Sequence, residues 1–351
     1  MAKVPLSLAF SRSARTAPLL DGEVTVEGVD LIPCLVSPGD LFWRQLHHAE
    51  FDSSEFSIGS LIIRRSQGDD TWRAVPVFPS RAFFHTQMLV RRGAGIGRPE
   101  DLRGKRVGIP EYQQTAGLWT RGALLHEFGV RPEEIEWVMG RTPDRSHGGA
   151  TGFEPPEGVR LTYPAAGETL GSLIADGRLD ALIAYGARTG GLGLGQEPLE
   201  WQRQWSGRAG AIVGGEKVEG ALEDRVSRLF RDPRREGKRY FDATGIFPMN
   251  HTLILRQSLA DKYPWLPRNL YEAFCASRER AVRKMLVHLE PYEAIGALRV
   301  SDVAAGEEAF PYGVSANKVA LGAALAYAHE QGLVPSPVAP DDIFFDTTLE
   351  W

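Results

Sequence analysis

Short apolar runs alternate with helix-spaced apolar positions along most of this chain. Val4 to Phe10 alternates apolar and polar side chains around Pro5 and predicts a first strand. A helix is predicted near Gly39 to His48 and a strand near Arg73 to Phe78. His85-Thr-Gln-Met-Leu-Val90 reads as an extended segment, and Arg98 to Pro110 as a short helical turn, a glycine turn and a buried strand. From Gln114 to Phe128 the side chains Leu118, Trp119, Ala123, Leu125 and Phe128 recur at helical spacing, and Gly129 stands where such a helix stops. Ile135 to Met139 predicts a strand, Thr169 to Asp176 a short helix, Leu179 to Ala184 a strand, and Leu222 to Phe230 a helix. Between them, residues 140–158 are rich in Gly, Pro and Arg and read as a long surface loop. His251 to Leu255 is a second extended segment, followed by helical patterns over Ser258 to Tyr263, Arg268 to Leu289 and Ala316 to Gln331, with Gly332 as a stop.

This alternation predicts an α/β fold. The two extended segments bracket a continuous α/β block, so residues 1–85 and the helical 250–351 are expected to form one lobe and 86–249 the other, with ligand in a cleft between them. A length of 351 residues suits about two domains. The hydrophobic share of 43% excludes wholesale disorder, and a formal charge of −5 gives no overall attraction to nucleic acid or anionic lipid. No run of about 18 apolar residues predicts a membrane span. The first residues carry one lysine and a proline-broken strand pattern instead of a secretory leader, so a cytoplasmic location is expected. Cys34 and Cys275 form no CxxC pair, which leaves no material for a zinc ribbon or a thioredoxin-like motif. The periodicity of the late helices leaves a homo-oligomer open.

Candidate chemistry gathers at three places. Ile109 to Gly122 carries the chain off a strand into a helix, where free N–H groups attract anions and Tyr112, Gln113 and Thr115 could complete a carboxylate or phenol site. A capped helix with Tyr112 packed against it is the plainer reading, and Trp119 at helical spacing reads as core. The first crossover offers Arg81 as a bidentate partner for a carboxylate and His85 as a proton carrier. The second crossover offers Asn250 and His251. Arg12, Ser13 and Arg15 after the first strand, and Ser57, Gly59 and Ser60 in an expected loop, could line the rim of the first lobe. Gly191-Leu-Gly-Leu-Gly-Gln196 lacks the spacing of a dinucleotide fingerprint, and no GxxxxGK[ST], GxSxG or HExxH occurs. A metal would need ligands from distant segments, and a divalent ion stays open.

Several blocks carry a resemblance to a known family. They are Pro76-Val-Phe-Pro-Ser-Arg81 with His85, Asp101-Leu-Arg-Gly-Lys-Arg-Val-Gly108, Pro110-Glu-Tyr-Gln113 with Thr115-Ala116 and Trp119-Thr-Arg-Gly122, Gly245-Ile-Phe-Pro248 with His251-Thr252, and Pro311-Tyr-Gly313 with Asn317. Through them nearly the whole chain resembles the 4,5-dihydroxyphthalate decarboxylase family, which is similar in fold to two-lobed (type II) periplasmic solute-binding proteins. The resemblance implies a cofactor-independent carboxy-lyase that protonates the ring of a hydroxylated aromatic acid and releases CO₂. It implies Arg81, Arg12 and the segment Glu111 to Thr115 as an anion clamp, His251 or His85 as proton donor, and Glu111 or the second histidine as acceptor of a phenol proton. Asn250 and Ser60 join the substrate-binding set. The family pattern has a basic residue before the first histidine and an aliphatic one before the second, where this chain has Phe84 and Asn250. That departure implies a ligand with fewer carboxylates, and an Asn250 amide bonding a hydroxyl or carbonyl. The alternatives on the same scaffold are a non-catalytic receptor for an aromatic carboxylate, another lyase, and a decarboxylase of a related biosynthetic acid.

Overall fold

The structure, a computed structural model, describes residues 2–141, 151–183, 225–307 and 310–350. These divide into two compact units, one of residues 1–81, 249–325 and 337–351, the other of 82–248 and 326–336. Among the described residues no helix is long and apolar enough to cross a membrane.

The first unit is built on strands β1 (Val4–Phe10), β2 (Val29–Leu35), β3 (Ser53–Ser57) and β4 (Trp72–Val75). The second holds β5 (Met88–Arg91), β6 (Arg106–Ile109), β7 (Glu136–Met139), β8 (Arg160–Thr162), β9 (Ala181–Ile183) and β10 (Val226–Arg228), before β11 (His251–Arg256) returns to the first. The first sheet has the order β2-β1-β3-β11-β4, with β1 parallel to β2 and β3 and β11 antiparallel to both its neighbours. Its core is made of the alternating Leu6, Leu8 and Phe10 with Phe56, Leu253 and Leu255, against helices Pro38–His48, Ile58–Ser66 and Leu266–Ala294. The second sheet has the order β10-β5-β9-β6-β7-β8. Leu89, Val138, Leu170, Leu173, Ile174, Leu179, Leu182 and Val226 form one of its buried clusters.

Glycine sets one close approach that fixes this packing. A Cβ on Gly122, in helix Thr115–Phe128, would stand 2.2 Å from the ring of Tyr327, so the bare backbone is what lets residues 326–336 pack within the second unit. Gly129 ends the helix at φ +65°, a left-handed geometry that suits glycine.

Several expectations are corrected here. Residues 226–228 form a strand of the second sheet where a helix is expected, because pairing with β5 satisfies their backbone. The segment from His85 is not extended throughout: Phe84–Gln87 make a 3-10 turn, and the strand begins at Met88. Ser57, Gly59 and Ser60 are not in a loop; Ser57 ends β3 and caps helix Ile58–Ser66, whose first turn holds Gly59 and Ser60. Most of the predicted loop 140–158 and the Gly191 to Gln196 stretch lie outside the described residues.

Candidate active site

The first unit places His251 at the start of β11, opposite Ser57 in the ladder, with Leu253 opposite Glu55. Paired positions share a sheet face, and residues two apart do too, so Glu55 and His251 are diagonal neighbours on one side of the sheet. The His251 Nδ1 lies 2.6 Å from Glu55 Oε1. The other carboxylate oxygen of Glu55 accepts the Ser11 backbone N–H at 3.0 Å and the Ser11 hydroxyl at 2.5 Å. Ser11 is the residue just past the end of β1, so the end of β1 and the start of β11 converge on a carboxylate from the middle of β3.

Glu55 is 2% exposed. Burial works against the charge, but the attraction of His251 and the bonds from His251 and Ser11 outweigh it and hold the carboxyl below its ordinary value. Glu55 is therefore a carboxylate at neutral pH and orients the imidazole with Nδ1–H donating. Nε2 is then the lone-pair nitrogen, and the Asn250 amide donates to it at 2.8 Å. When Nε2 gains a proton, the same amide can present its oxygen by turning over, so Asn250 serves both charge states. Phe42 meets the imidazole edge-on, with ring centroids 4.8 Å apart.

Arg81 lies close by through the backbone. It bridges to Met249, while the Ser80 carbonyl accepts the Asn250 N–H at 2.8 Å. Its Nη2 donates to the Pro311 carbonyl at 2.7 Å and to Asn317 Oδ1 at 2.6 Å. Burial lowers its guanidinium to about 10, which leaves it charged at neutral pH. Arg81 and Ser80 line a cavity of about 190 Å³ with Arg15, Phe78, Pro79, Phe310 and Tyr312. A cavity of roughly 150 Å³ is enough for a benzene ring. One substituted aromatic ring is thus of the right size for this space.

Other residues proposed from the sequence are placed differently. Arg12 is an exposed partner of Asp21, through two bonds of 2.8 and 2.7 Å, and does not line the cavity; Arg15, three residues on, does. Ser60 is buried against its capping serine, Ser60 Oγ to Ser57 Oγ 3.1 Å. In the second unit, Glu111 is fully buried, one oxygen paired with Arg141 and the other accepting from Gln113 at 2.7 Å. Both oxygens are engaged, which suits an anchored anion better than a base that takes a phenol proton. Tyr112 carries Arg121 over its ring at 3.8 Å, Arg121 donates to the Tyr112 carbonyl and to Gln331, and Thr115 is buried at the helix start. Trp119 is core, as its spacing indicates.

His85 is 1% exposed and packs on Phe230 and Tyr240, at 5.5 and 4.9 Å between centroids. Its Nε2 meets Glu236 at 3.2 Å, and Arg239 grips both oxygens of the same carboxylate at 2.8 and 2.9 Å. Phe84 is buried in the same unit. Glu55 and Ser11 are not singled out by spacing. A charged residue inside the tract Ser53-Ser-Glu-Phe-Ser57 is the signal that could have found Glu55. Among the described residues no group of three or more His, Cys, Asp or Glu is arranged to hold a metal.

Two mixed α/β sheets in two units define a protein of the periplasmic-binding-protein fold. Solved structures agree at the level of fold: the alkanesulfonate-binding protein SsuA from Xanthomonas axonopodis pv. citri is 12% identical with a TM-score of 0.53, covering 98% of this chain and 99% of its own. The aliphatic sulphonate binding protein SsuA from Escherichia coli is 14% identical with a TM-score of 0.51, covering 99% of each. No family model matches the sequence. A 4,5-dihydroxyphthalate decarboxylase from Comamonas testosteroni is 33% identical across 100% of this chain and 99% of its own length, and one from Pseudomonas putida is 39% identical over 52% of this chain and 71% of its own. The chain belongs to the 4,5-dihydroxyphthalate decarboxylase family, and its relatives are carboxy-lyases.

Proposed function

We propose that this protein decarboxylates a hydroxylated aromatic acid of the 4,5-dihydroxyphthalate kind, with His251 as the acid. The observation that carries the reading is the His251–Glu55 pair at 2.6 Å, with the carboxylate fixed from behind by Ser11. In 4,5-dihydroxyphthalate each carboxylate is para to a hydroxyl, so a proton added to the carbon bearing the carboxylate leaves a positive charge that the para oxygen takes up. The imidazolium Nε2–H of His251 supplies that proton, and Glu55 stabilises the imidazolium until transfer. The C–C bond then breaks, its electron pair restores the aromatic ring, and CO₂ leaves. Solvent reprotonates His251, so the balance is one carboxylate and one proton in, one ring C–H and one CO₂ out.

Arg81 holds the acid by its carboxylate, and Asn250, which bonds Nε2 at 2.8 Å, yields that nitrogen to the substrate ring for the transfer. The family relationship supports the reaction class, and the residue roles rest on the geometry within the first unit. Purified protein incubated with 4,5-dihydroxyphthalate and a panel of hydroxybenzoates should release CO₂ from at least one of them. Saturable binding of these acids with no CO₂ from any would make the protein a receptor instead.

A further inference from the structure

Asn317 is 4% exposed, and both ends of its amide are engaged. The nitrogen donates to the carbonyls of Pro311 and Gly313 at 3.0 and 2.7 Å, and the oxygen accepts from Arg81 Nη2 at 2.6 Å. These partners fix which way the amide faces: turned over, its oxygen would meet two carbonyl oxygens and its nitrogen a guanidinium. The turn that it closes is itself anchored, since the Gly313 N–H donates to the Pro76 carbonyl at 2.8 Å. Arg81 is held in the same frame, with Nη2 donating to the Pro311 carbonyl at 2.7 Å and the guanidinium 5.4 Å from the centre of the Phe78 ring. The sequence block Pro311-Tyr-Gly313 with Asn317 thus forms a socket for one guanidinium. A buried guanidinium is ordinarily paired with a carboxylate, which satisfies its donors and also cancels its charge. Asn317 satisfies a donor and cancels nothing. Burial, with the like charges of Arg278 and Arg15, lowers the Arg81 guanidinium to about 10 against the pull of Tyr312, so at neutral pH it is still a cation. That cation stands in the wall of the 190 Å³ cavity.

We infer that Asn317 is a positioning residue for acid binding: it fixes the Arg81 guanidinium at the cavity wall through a neutral acceptor and so leaves the charge for the carboxylate of the ligand. The inference rests on the proposed use of Arg81 as the group that holds the acid. An entering carboxylate meets a cation that is already fixed and already largely stripped of water, so little further ordering accompanies binding. An aspartate at position 317 would instead compete with the ligand for the same guanidinium. Arg81 holds the acid in the ground state and through the proton transfer alike, so disturbing Asn317 changes binding and KM far more than kcat.

The test uses the full chain, with phthalate as the binding probe because it lacks the hydroxyls that the proposed decarboxylation requires. In calorimetric titration Asn317→Asp should bind phthalate about tenfold more weakly than wild type, as competition for a charge-assisted bond implies. In CO₂ release from 4,5-dihydroxyphthalate its KM should rise by a similar factor while kcat stays within about twofold. Asn317→Ala, which loosens the guanidinium without adding a charge, should lose about threefold in phthalate affinity. A purely structural residue would lower the folded fraction and leave the constants per folded molecule alone. Action through Arg81 has its own signature: in an Arg81→Gln background, Asn317→Ala should cost no further affinity. Wild-type constants in Asn317→Asp, a fall in kcat at unchanged KM, losses that add in full in the double variant, or a wild type with no affinity for phthalate would each overturn the inference. Should Asn317→Asp fail to fold, Asn317→Ala and the double variant decide; should neither single variant fold, Asn317 is structural and the inference falls. Phthalate binding that depends on Asn317 in a wild type that releases no CO₂ would uphold the socket while removing the decarboxylase reading. Normal turnover with no Asn317 effect on binding or KM would do the reverse.

Discussion

His251 and His85 each meet a glutamate, at 2.6 and 3.2 Å, and each is nearly buried, yet the two pairs are built for different work. Glu236, the partner of His85, is also held by Arg239 through both oxygens, and Arg239 reaches on to Glu127 at 2.9 Å. Its negative charge is thus already answered by a permanent cation in addition to the bond from His85. Glu55 is bonded by a hydroxyl, a backbone N–H and His251 alone among the described residues, so the imidazolium is the cation that best answers its charge. The free end of His251 meets an amide that can turn over, whereas His85 is enclosed by Phe230 and Tyr240. A histidine–glutamate pair is thus a proton device only where the carboxylate has no arginine to neutralise it and the other nitrogen faces a group that accepts both charge states.

Breaking the active pair should have the largest effect. His251→Gln removes the proposed acid and should lower kcat by about 10²- to 10⁴-fold, read as CO₂ release, with the far-UV spectrum retained. Glu55→Gln keeps the shape but withdraws the charge opposite His251; kcat should fall by roughly ten- to a hundredfold with KM nearly unchanged. Breaking the other pair should touch the fold and spare the chemistry. Burial would raise the Glu236 carboxyl, but the bonds from His85 and Arg239 outweigh it and hold it at about 2, below its ordinary 4.5. The stability this contributes is therefore complete above pH 4.5 and is lost as pH falls towards 2. Glu236→Gln should lower stability by about 2 kcal/mol at pH 7, with the gap to wild type narrowing in denaturant melts below about pH 4.5, at unchanged turnover. Arg12→Ala should do least, since a solvent-exposed ion pair is screened and contributes little; turnover and melting temperature should both match wild type.

Much of the framework is legible in the sequence because it follows local periodicity. β1, β6, β7, β11 and the helices Pro38–His48, Thr115–Phe128 and Leu266–Ala294 fall where apolar spacing and stop signals predict. The strand Ser53–Ser57 is the instructive miss. Its five residues are all buried although four are polar; Ser11 and His251 satisfy Glu55 and the Ile254 carbonyl accepts the Ser53 hydroxyl, and none of these partners is near in sequence. The same long-range pairing hides β10, whose Val226 and Leu229 stand at a spacing that a helix shares.

At the site, the block pattern leads to His251, Asn250 and Arg81, which the fold gathers around β11 and the first crossover. It cannot tell Arg12 from Arg15, since the choice depends on how the chain turns after Phe10 towards Asp21 or Glu307. Nor can it separate His251 from His85: both follow crossovers, and only the neighbours of each carboxylate distinguish them.

That distinction is the centre of the account, and single-turnover CO₂ release from 4,5-dihydroxyphthalate by wild type, His251→Gln and His85→Gln tests it most directly. The account predicts loss of at least about a hundredfold in His251→Gln and near-normal turnover per folded molecule in His85→Gln. Turnover that survives the His251 substitution and vanishes with the His85 substitution would contradict it.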